Sequence, residues 1–270
     1  MKKLLTFGFV LLLIQQINCQ IYIDIQQFKD AGIDINQSPP QDLLNLGIGN
    51  CDLELIKSAI SKGADLNKQF EGAGVSAFPL CRAISAASDA TLPGEASVIA
   101  GQIRDYGSGV FSGRSASDIR RDYIEIIRFL LQKGTKATVP PDFGTENTPL
   151  LLAAQYRDIE IIRLLLDFKA DPNARDMFGN TALHELGLPV AIPYPYKNAP
   201  EIAKLLISKG ARIHLNTDGE GGPNGDTPLT LAKSSLNIIQ SDAGSPWRDY
   251  PFYNELVNSL KALIDIYSKL

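Results

Sequence analysis

The chain has 270 residues, of which 44% are hydrophobic and 21% are charged. That composition can bury a sizeable core or build an elongated array, and it excludes an intrinsically disordered chain. The formal net charge of −4, with no cluster of basic residues, argues against binding to nucleic-acid phosphates or to an anionic membrane surface.

The N-terminus has the pattern of a secretory signal peptide. Two lysines precede an apolar run from Leu4 to Ile14. The run is too short to span a bilayer comfortably, and no later segment is long and apolar enough to do so. We therefore expect residues 1–19 to be removed on export, leaving a soluble mature protein with a more negative net charge.

The cleavage point has two interpretations. Cys19 could be the lipidated cysteine of a bacterial lipoprotein, although the residues before it, Gln16, Ile17 and Asn18, match the required pattern poorly. The alternative is cleavage just after Cys19, which leaves Gln20 first. Beyond this one conceivable lipid anchor, we expect no membrane association.

Internal repeats dominate the remaining sequence. Four short stretches align with one another: AFPLCRAI (77–84), NTPLLLAA (147–154), NTALHELG (180–187) and DTPLTLAK (226–233). Four apolar helical runs accompany them, at residues 52–67, 123–138, 158–173 and 200–214. Each unit is predicted to be a pair of helices and an extended turn. One such pair cannot bury its own apolar faces, so the core must come from stacking.

Local signals in the repeats fit helix ends. Thr148-Pro149 and Thr227-Pro228 favour helix starts, because Thr can cap the N-terminus and Pro fits the first turn. Glycines at the ends of the outer helices supply the left-handed conformation wanted there. These are Gly63, Gly134 and Gly210.

These motifs resemble the ankyrin repeat. Its T-P-L-H-x-A signature is matched by Thr148-Pro149-Leu150 with Ala153 and by Thr227-Pro228-Leu229 with Ala232, and its turn by Gly63-Ala64-Asp65 with Asn67. The resemblance implies an all-α ankyrin-repeat solenoid of about four to six helix pairs. The departures from the pattern are Phe78 for Thr, Ala182 for Pro, Leu186 for the second Ala and Lys169 for the turn Gly.

The resemblance covers nearly all of residues 22–270, so we predict a single ankyrin-repeat domain over residues 20–270. A worn repeat at 22–50 is predicted as the N-terminal cap, and an amphipathic helix at 252–270 as the C-terminal cap. Three long insertions between inner and outer helices interrupt the array, at residues 85–122, 187–200 and 234–251.

The insertions occur at the same point of the repeat, so we expect them to lie along one edge and to form a composite binding surface. They carry residue types that dominate binding hot spots: Tyr106, Phe111, Arg114, Tyr194, Tyr196, Trp247, Arg248 and Tyr250. A second candidate surface is the row of turn tips, with Phe70, Phe143 and Phe178. The alternative for both sets is that the aromatic rings hold their own loops against the helices.

No catalytic residue, metal site or cofactor is predicted. His184 occupies the family's usual structural position, where it bonds turn backbone. Residues 218–226 alternate like a calcium loop, but Pro223 and Leu229 stand where the sharp-turn Gly and the bidentate Glu should be. An enzyme would have to use Ser108, Ser112, Arg114 and Asp118 in the first insertion, with no supporting base.

The two cysteines that remain after processing, Cys51 and Cys81, are predicted at opposite ends of neighbouring parallel helices. That separation exceeds the roughly 7 Å between Cα atoms that a disulfide allows. We therefore expect two free, buried thiols.

The predicted function is protein binding by an exported bacterial ankyrin-repeat protein, monomeric when unbound. One interpretation is a periplasmic or envelope-anchored inhibitor, such as an immunity protein that blocks a toxin. The alternative is a secreted effector that binds a host protein.

Overall fold

A computed structural model describes residues 34–70, 78–90, 111, 113–138, 148–188, 196–217, 225–241 and 252–270. All regular structure in these ranges is helical. None of the helices found there is long and apolar enough to cross a membrane. The predicted signal peptide and Cys19 lie outside the described residues, so both stay predictions.

The chain divides into two compact units, Met1–Thr135 and Lys136–Leu270. The first unit contains a 3-10 turn, Ile35–Gln37, and four helices: α1 (Pro40–Gly49), α2 (Leu53–Ser61), α3 (Pro79–Asp89) and α4 (Ala116–Gln132). Helix α1 packs on α2 and α3, and α3 packs on α4. The prediction of one domain over residues 20–270 stays a prediction.

The core of the first unit lies between these helices. Leu44, Ile48, Ile56 and Ile84 are fully buried. The Tyr123 hydroxyl of α4 donates a hydrogen bond to the Gly49 carbonyl at 3.2 Å. The end of α1 is thus held by the outer helix of the next pair, which is the stacking that the repeats predict.

The second unit contains the 3-10 turn Tyr196–Asn198 and six helices: α5 (Pro149–Gln155), α6 (Ile159–Asp167), α7 (Ala182–Gly187), α8 (Ala199–Ser208), α9 (Pro228–Ser241) and α10 (Tyr253–Ser268). Helix α7 packs on both α5 and α9, and α10 packs on α8 and α9. The described residues therefore form five helix pairs, within the predicted range of four to six. Helix α10 confirms the predicted C-terminal helix.

The predicted helix starts are confirmed. Thr148 Oγ1 accepts a hydrogen bond from the Leu151 amide at 3.3 Å, and Thr227 Oγ1 accepts one from the Thr230 amide at 3.2 Å. Phe78, where the pattern expects Thr, makes no side-chain cap and is buried instead. Its apolar packing takes the place of a polar cap.

All three predicted insertions are shorter than expected at their ends. Helix α3 continues to Asp89, because residues 85–88 are small and bury well, and α4 begins already at Ala116. Ser115 caps α4 by accepting from the Asp118 amide at 3.1 Å. Helix α9 likewise continues to Ser241, with Ile239 fully buried. Residues 85–89, 116–122, 187, 199–200 and 234–241 are therefore helix rather than loop.

Left-handed residues end the outer helices, as predicted for glycine. Gly63, Gly134 and Gly210 have φ of 93°, 95° and 95°. Lys169, which replaces glycine at the same point, has φ 65°. An L-residue in this conformation carries a steric cost of about 1–2 kcal/mol.

We predict that Lys169→Gly raises the free energy of unfolding by about 0.5–1 kcal/mol, because relief of that steric cost exceeds the added chain entropy of glycine. Lys209, just before Gly210, has φ −98° and is the matched control. Lys209→Gly should lower stability, because it brings only the entropic penalty. Urea unfolding of both variants measures this, and equal effects would contradict the prediction.

Candidate protein-binding site

Most residues of the predicted composite edge lie outside the described residues: Tyr106, Tyr194, Trp247, Arg248 and Tyr250. Phe143 of the predicted turn tips does too. The binding roles of these residues stay predictions. The described members of the two predicted surfaces are Phe70, Phe111, Arg114, Tyr196 and Phe178.

Three of the described rings are not on the surface. Phe70, Phe111 and Tyr196 are only 5%, 2% and 1% exposed. This corrects the expectation that they present their rings to a partner, and it favours the alternative that they hold their own segments in place. Arg114 is partly exposed, but its guanidinium is paired with the Asp122 carboxylate.

Tyr196 is buried in an apolar cluster with residues of α9 and α10, and its ring also stacks on Arg157. The Arg157 Cζ lies 4.2 Å from the centre of the Tyr196 ring, and the arginine side chain is itself completely buried. Arg157 Nη2 donates to the Leu188 carbonyl at 2.9 Å, and Ser259 Oγ on α10 donates to the Tyr196 carbonyl at 2.6 Å. Residues on both sides of 189–195 are therefore fixed to the helices.

Phe178 is the one described candidate with a largely exposed ring, at 61%. It lies in the tip loop, residues 176–180, between α6 and α7. The preceding residue, Met177, is 53% exposed. Met177 was not among the predicted site residues. Its position between Asp176 and Gly179-Asn180 is nevertheless a signal of exposure, since turn residues of those types are usually at the surface.

The Asp176 carboxylate fixes the tip loop through hydrogen bonds within the loop. Asp176 Oδ1 accepts from the amides of Phe178 and Asn180, both at 2.8 Å, and Oδ2 accepts from Asn180 Nδ2 at 3.0 Å. The backbone closes the same loop, with Asp176 N donating to Asn180 O at 3.0 Å and Gly179 N donating to Asp176 O at 3.1 Å. The loop thus has a single fixed backbone path.

The tip loop is also fixed to the next turn of the second unit. Gly179 has φ 81°, and a Cβ added there would lie 1.8 Å from the Thr217 carbonyl oxygen. Arg175 Nη1 donates to the carbonyls of Gly179 and Asn216, at 3.2 Å and 2.6 Å. Only glycine permits so close an approach in this conformation.

His184 makes a second connection to that turn and confirms its predicted structural role. Its Nδ1 accepts from the Thr181 amide at 3.1 Å, so Nε2 carries the proton and donates to the Asp226 carbonyl at 2.9 Å. Burial lowers the pKa of His184, and the neutral ring suits both bonds.

Glu185, the next residue on α7, is a buried carboxyl group. Its pKa is raised from 4.5 to about 7, mainly by burial and then by the charge of Asp176, while the charge of Arg157 opposes the change. The carboxyl group is therefore partly protonated at neutral pH.

The residues of the enzymatic alternative have structural explanations where they are described. Asp118 accepts from Ser115 Oγ at 2.6 Å and from Arg121 Nη1 at 2.8 Å, in the first turn of α4. These bonds lower its pKa. Ser108 and Ser112 lie outside the described residues. Among the residues that the structure describes, no group of three or more His, Cys, Asp or Glu side chains could hold a metal ion.

Both described cysteines carry free thiols. Cys81 is buried in α3, as predicted, whereas Cys51 is only partly buried, because it sits in the turn after α1 with φ 54°. Its Sγ lies 3.9 Å from the Ile119 carbonyl oxygen. Burial raises the pKa of each thiol to about 12.

Comparison with known proteins agrees with these helix pairs and turns. A family model described as "Ankyrin repeats (3 copies)" matches residues 116–186. The described fold and this match confirm an all-α ankyrin-repeat fold, and the chain contains ankyrin repeats. Ankyrin repeats are typically non-enzymatic modules for protein–protein interaction.

Three similar proteins come from fowlpox virus (strain NVSL). The putative ankyrin repeat protein FPV031 is 35% identical over 126 residues, 45% of this chain and 33% of that protein. FPV228 is 31% identical over 38% of this chain and 21% of its own length. FPV222 is also 31% identical, over 40% of this chain and 17% of its own length. The matches thus cover a third or less of these relatives.

We predict that Asp176→Ala loosens the tip loop, because it removes three accepted hydrogen bonds. The free energy of unfolding should fall by about 2 kcal/mol, and the amides of Phe178 and Asn180 should exchange with solvent at least about tenfold faster. Asp171 is the matched control, since its Oδ1 accepts one hydrogen bond, from the Asn173 amide of its own turn, among the described residues. Unchanged exchange at both amides of Asp176→Ala would contradict the prediction.

We also predict a pH-dependent effect of Glu185→Gln. The raised pKa of Glu185 means that protonation stabilises the folded state below pH 4.5, and that this contribution is lost as the pH rises through about 7. Relative to wild type, the variant should gain on the order of 2–3 kcal/mol in unfolding free energy between pH 4.5 and pH 8. Urea unfolding at a series of pH values measures the difference in unfolding free energy between the variant and wild type. A difference that does not change with pH would contradict the prediction.

Proposed function

We propose that the chain binds a protein partner through the tip loop, with the side chains of Met177 and Phe178 as its anchors. The observation that carries this proposal is the exposure of two neighbouring large apolar side chains, at 53% and 61%, on a loop whose backbone is fixed. Apolar side chains of this size gain about 1.5–3 kcal/mol when they are fully buried, so a complementary pocket on a partner would stabilise the complex.

The fixed backbone makes this exposure favourable for binding. Ordering a flexible loop at an interface costs conformational entropy that is subtracted from the affinity. In the tip loop that ordering is already supplied by Asp176, by Arg175 and by the close contact of Gly179 with Thr217. Met177 and Phe178 are therefore held in place before a partner arrives.

The cellular role that we propose rests on the N-terminal pattern. A signal-peptide pattern at residues 1–19 supports an exported protein, which would be a periplasmic or envelope-anchored inhibitor or a secreted effector. The fowlpox virus relatives favour the second role, because a virus protein meets the proteins of the cell in which the virus multiplies. The inhibitor role would instead require a partner made by the same cell.

We predict that Phe178→Ala weakens binding of the partner by at least about tenfold, the loss of one hot-spot side chain. A photoreactive phenylalanine analogue at position 178 would identify the partner by crosslinking, first in extracts of the producing organism and then in those of its host. Binding of wild type and variant is then compared by titration calorimetry.

Ile238 provides the matched control, since it is 61% exposed on α9. Ile238→Ala removes an apolar side chain that is as exposed as Phe178, and it should leave the affinity for the partner unchanged. An equal loss of affinity in both variants would indicate nonspecific hydrophobic contact. Full affinity in Phe178→Ala would overturn the proposed role of the tip loop.

A further inference from the structure

Met177 is one of only two methionines in the chain, and Met1 is the other. Its side chain is about half exposed, beside the most exposed aromatic ring among the described residues. We propose that Met177 is a site of reversible oxidation by peroxides, and that its sulfoxide switches off binding by the tip loop. The second half of this inference rests on the proposed function.

The chemistry needs an accessible thioether and a peroxide. The Met177 sulfur attacks one oxygen of hydrogen peroxide, an S–O bond forms, the O–O bond breaks, and the other oxygen leaves as water after it takes the proton of the transferred hydroxyl. The sulfur loses two electrons and the peroxide gains them. The product is a polar sulfoxide, which a methionine sulfoxide reductase returns to the thioether with electrons from a dithiol.

The described cysteines compete poorly for the same oxidant. Thiols react with peroxides as thiolates, and burial raises the pKa of Cys51 and Cys81 to about 12, so thiolate is scarce at neutral pH. Cys81 is also buried within α3. A thioether has no proton to lose, so its reactivity depends on access, and Met177 has that access.

Oxidation of Met177 should change the surface without unfolding the tip loop. The bonds that fix the loop come from Asp176, Asn180 and Arg175 and from backbone groups. A polar oxygen on the Met177 sulfur would leave these bonds in place. It would instead add a solvated group beside Phe178, at the point where a partner must exclude water, and this group loses its water on binding.

The first test needs no partner. The full chain is treated with limiting hydrogen peroxide, and peptide mapping by mass spectrometry locates the added oxygen. We expect Met177 to be oxidised before Cys51 and Cys81, with a midpoint of thermal unfolding that shifts by less than about 2 °C. The oxidised protein should elute earlier from a hydrophobic-interaction column. Prior oxidation of either cysteine, or global unfolding, would overturn the proposal.

Met177→Leu is the matched variant, because it keeps an apolar side chain but cannot form a sulfoxide. Its column retention, and its affinity for the partner crosslinked at position 178, should not change on peroxide treatment. In wild type the same treatment should weaken that affinity at least about tenfold, and the reductase should restore it. Equal sensitivity of the two proteins would overturn the switch.

The two proposals fail separately. If Phe178→Ala leaves binding intact, the tip loop is not the binding site. The peroxide test still decides separately whether Met177 is a modification site. If Phe178→Ala weakens binding but oxidation does not, the tip loop binds the partner and the switch is wrong.

Discussion

A pair of short helices cannot bury its own apolar faces, and this constraint determines how the turns of the chain are built. Helix α7 is the clearest case. All six of its residues are buried, and it has α5 on one side and α9 on the other. A helix of six residues is far too short to be stable alone, so its stability comes from its neighbours. Each turn must therefore be attached to the next one at a fixed distance.

Buried and half-buried polar groups make those attachments in the second unit. His184 joins its own helix start to the Asp226 carbonyl, and Arg175 joins the tip loop to the Asn216 carbonyl. The guanidinium of Arg157 is buried under the Tyr196 ring and donates a hydrogen bond to the Leu188 carbonyl. A buried charge is costly unless it is bonded, so the buried Arg157 guanidinium favours the arrangement of neighbouring segments that supplies its partners.

The features that could be predicted from the sequence are those that depend on a few adjacent residues. The cap at Thr148 and the left-handed glycines at positions 63, 134 and 210 follow from local chemistry. Because these signals recur along the chain, they also predict a stack of helix pairs. The start of α4 was missed although Ser115 and Asp118 form a local capping pattern. Burial of Tyr196 could not be predicted, because it depends on Arg157, distant in sequence, and on Ser259 of α10.

Only part of the candidate site could be predicted, because some of its features depend on adjacent residues and others on residues distant in sequence. Exposure of Phe178 follows from its place in a turn, and the same argument applies to Met177. The rigidity of the tip loop does not follow from the turn residues alone, because it requires the side chain of Arg175 and the Thr217 backbone of the next turn. Arg175 and Gly179, which attach this turn to the next one, thus also fix the tip loop, together with the Asp176 carboxylate inside the loop. Part of the framework that holds Met177 and Phe178 towards solvent is therefore the same set of contacts that joins neighbouring repeats.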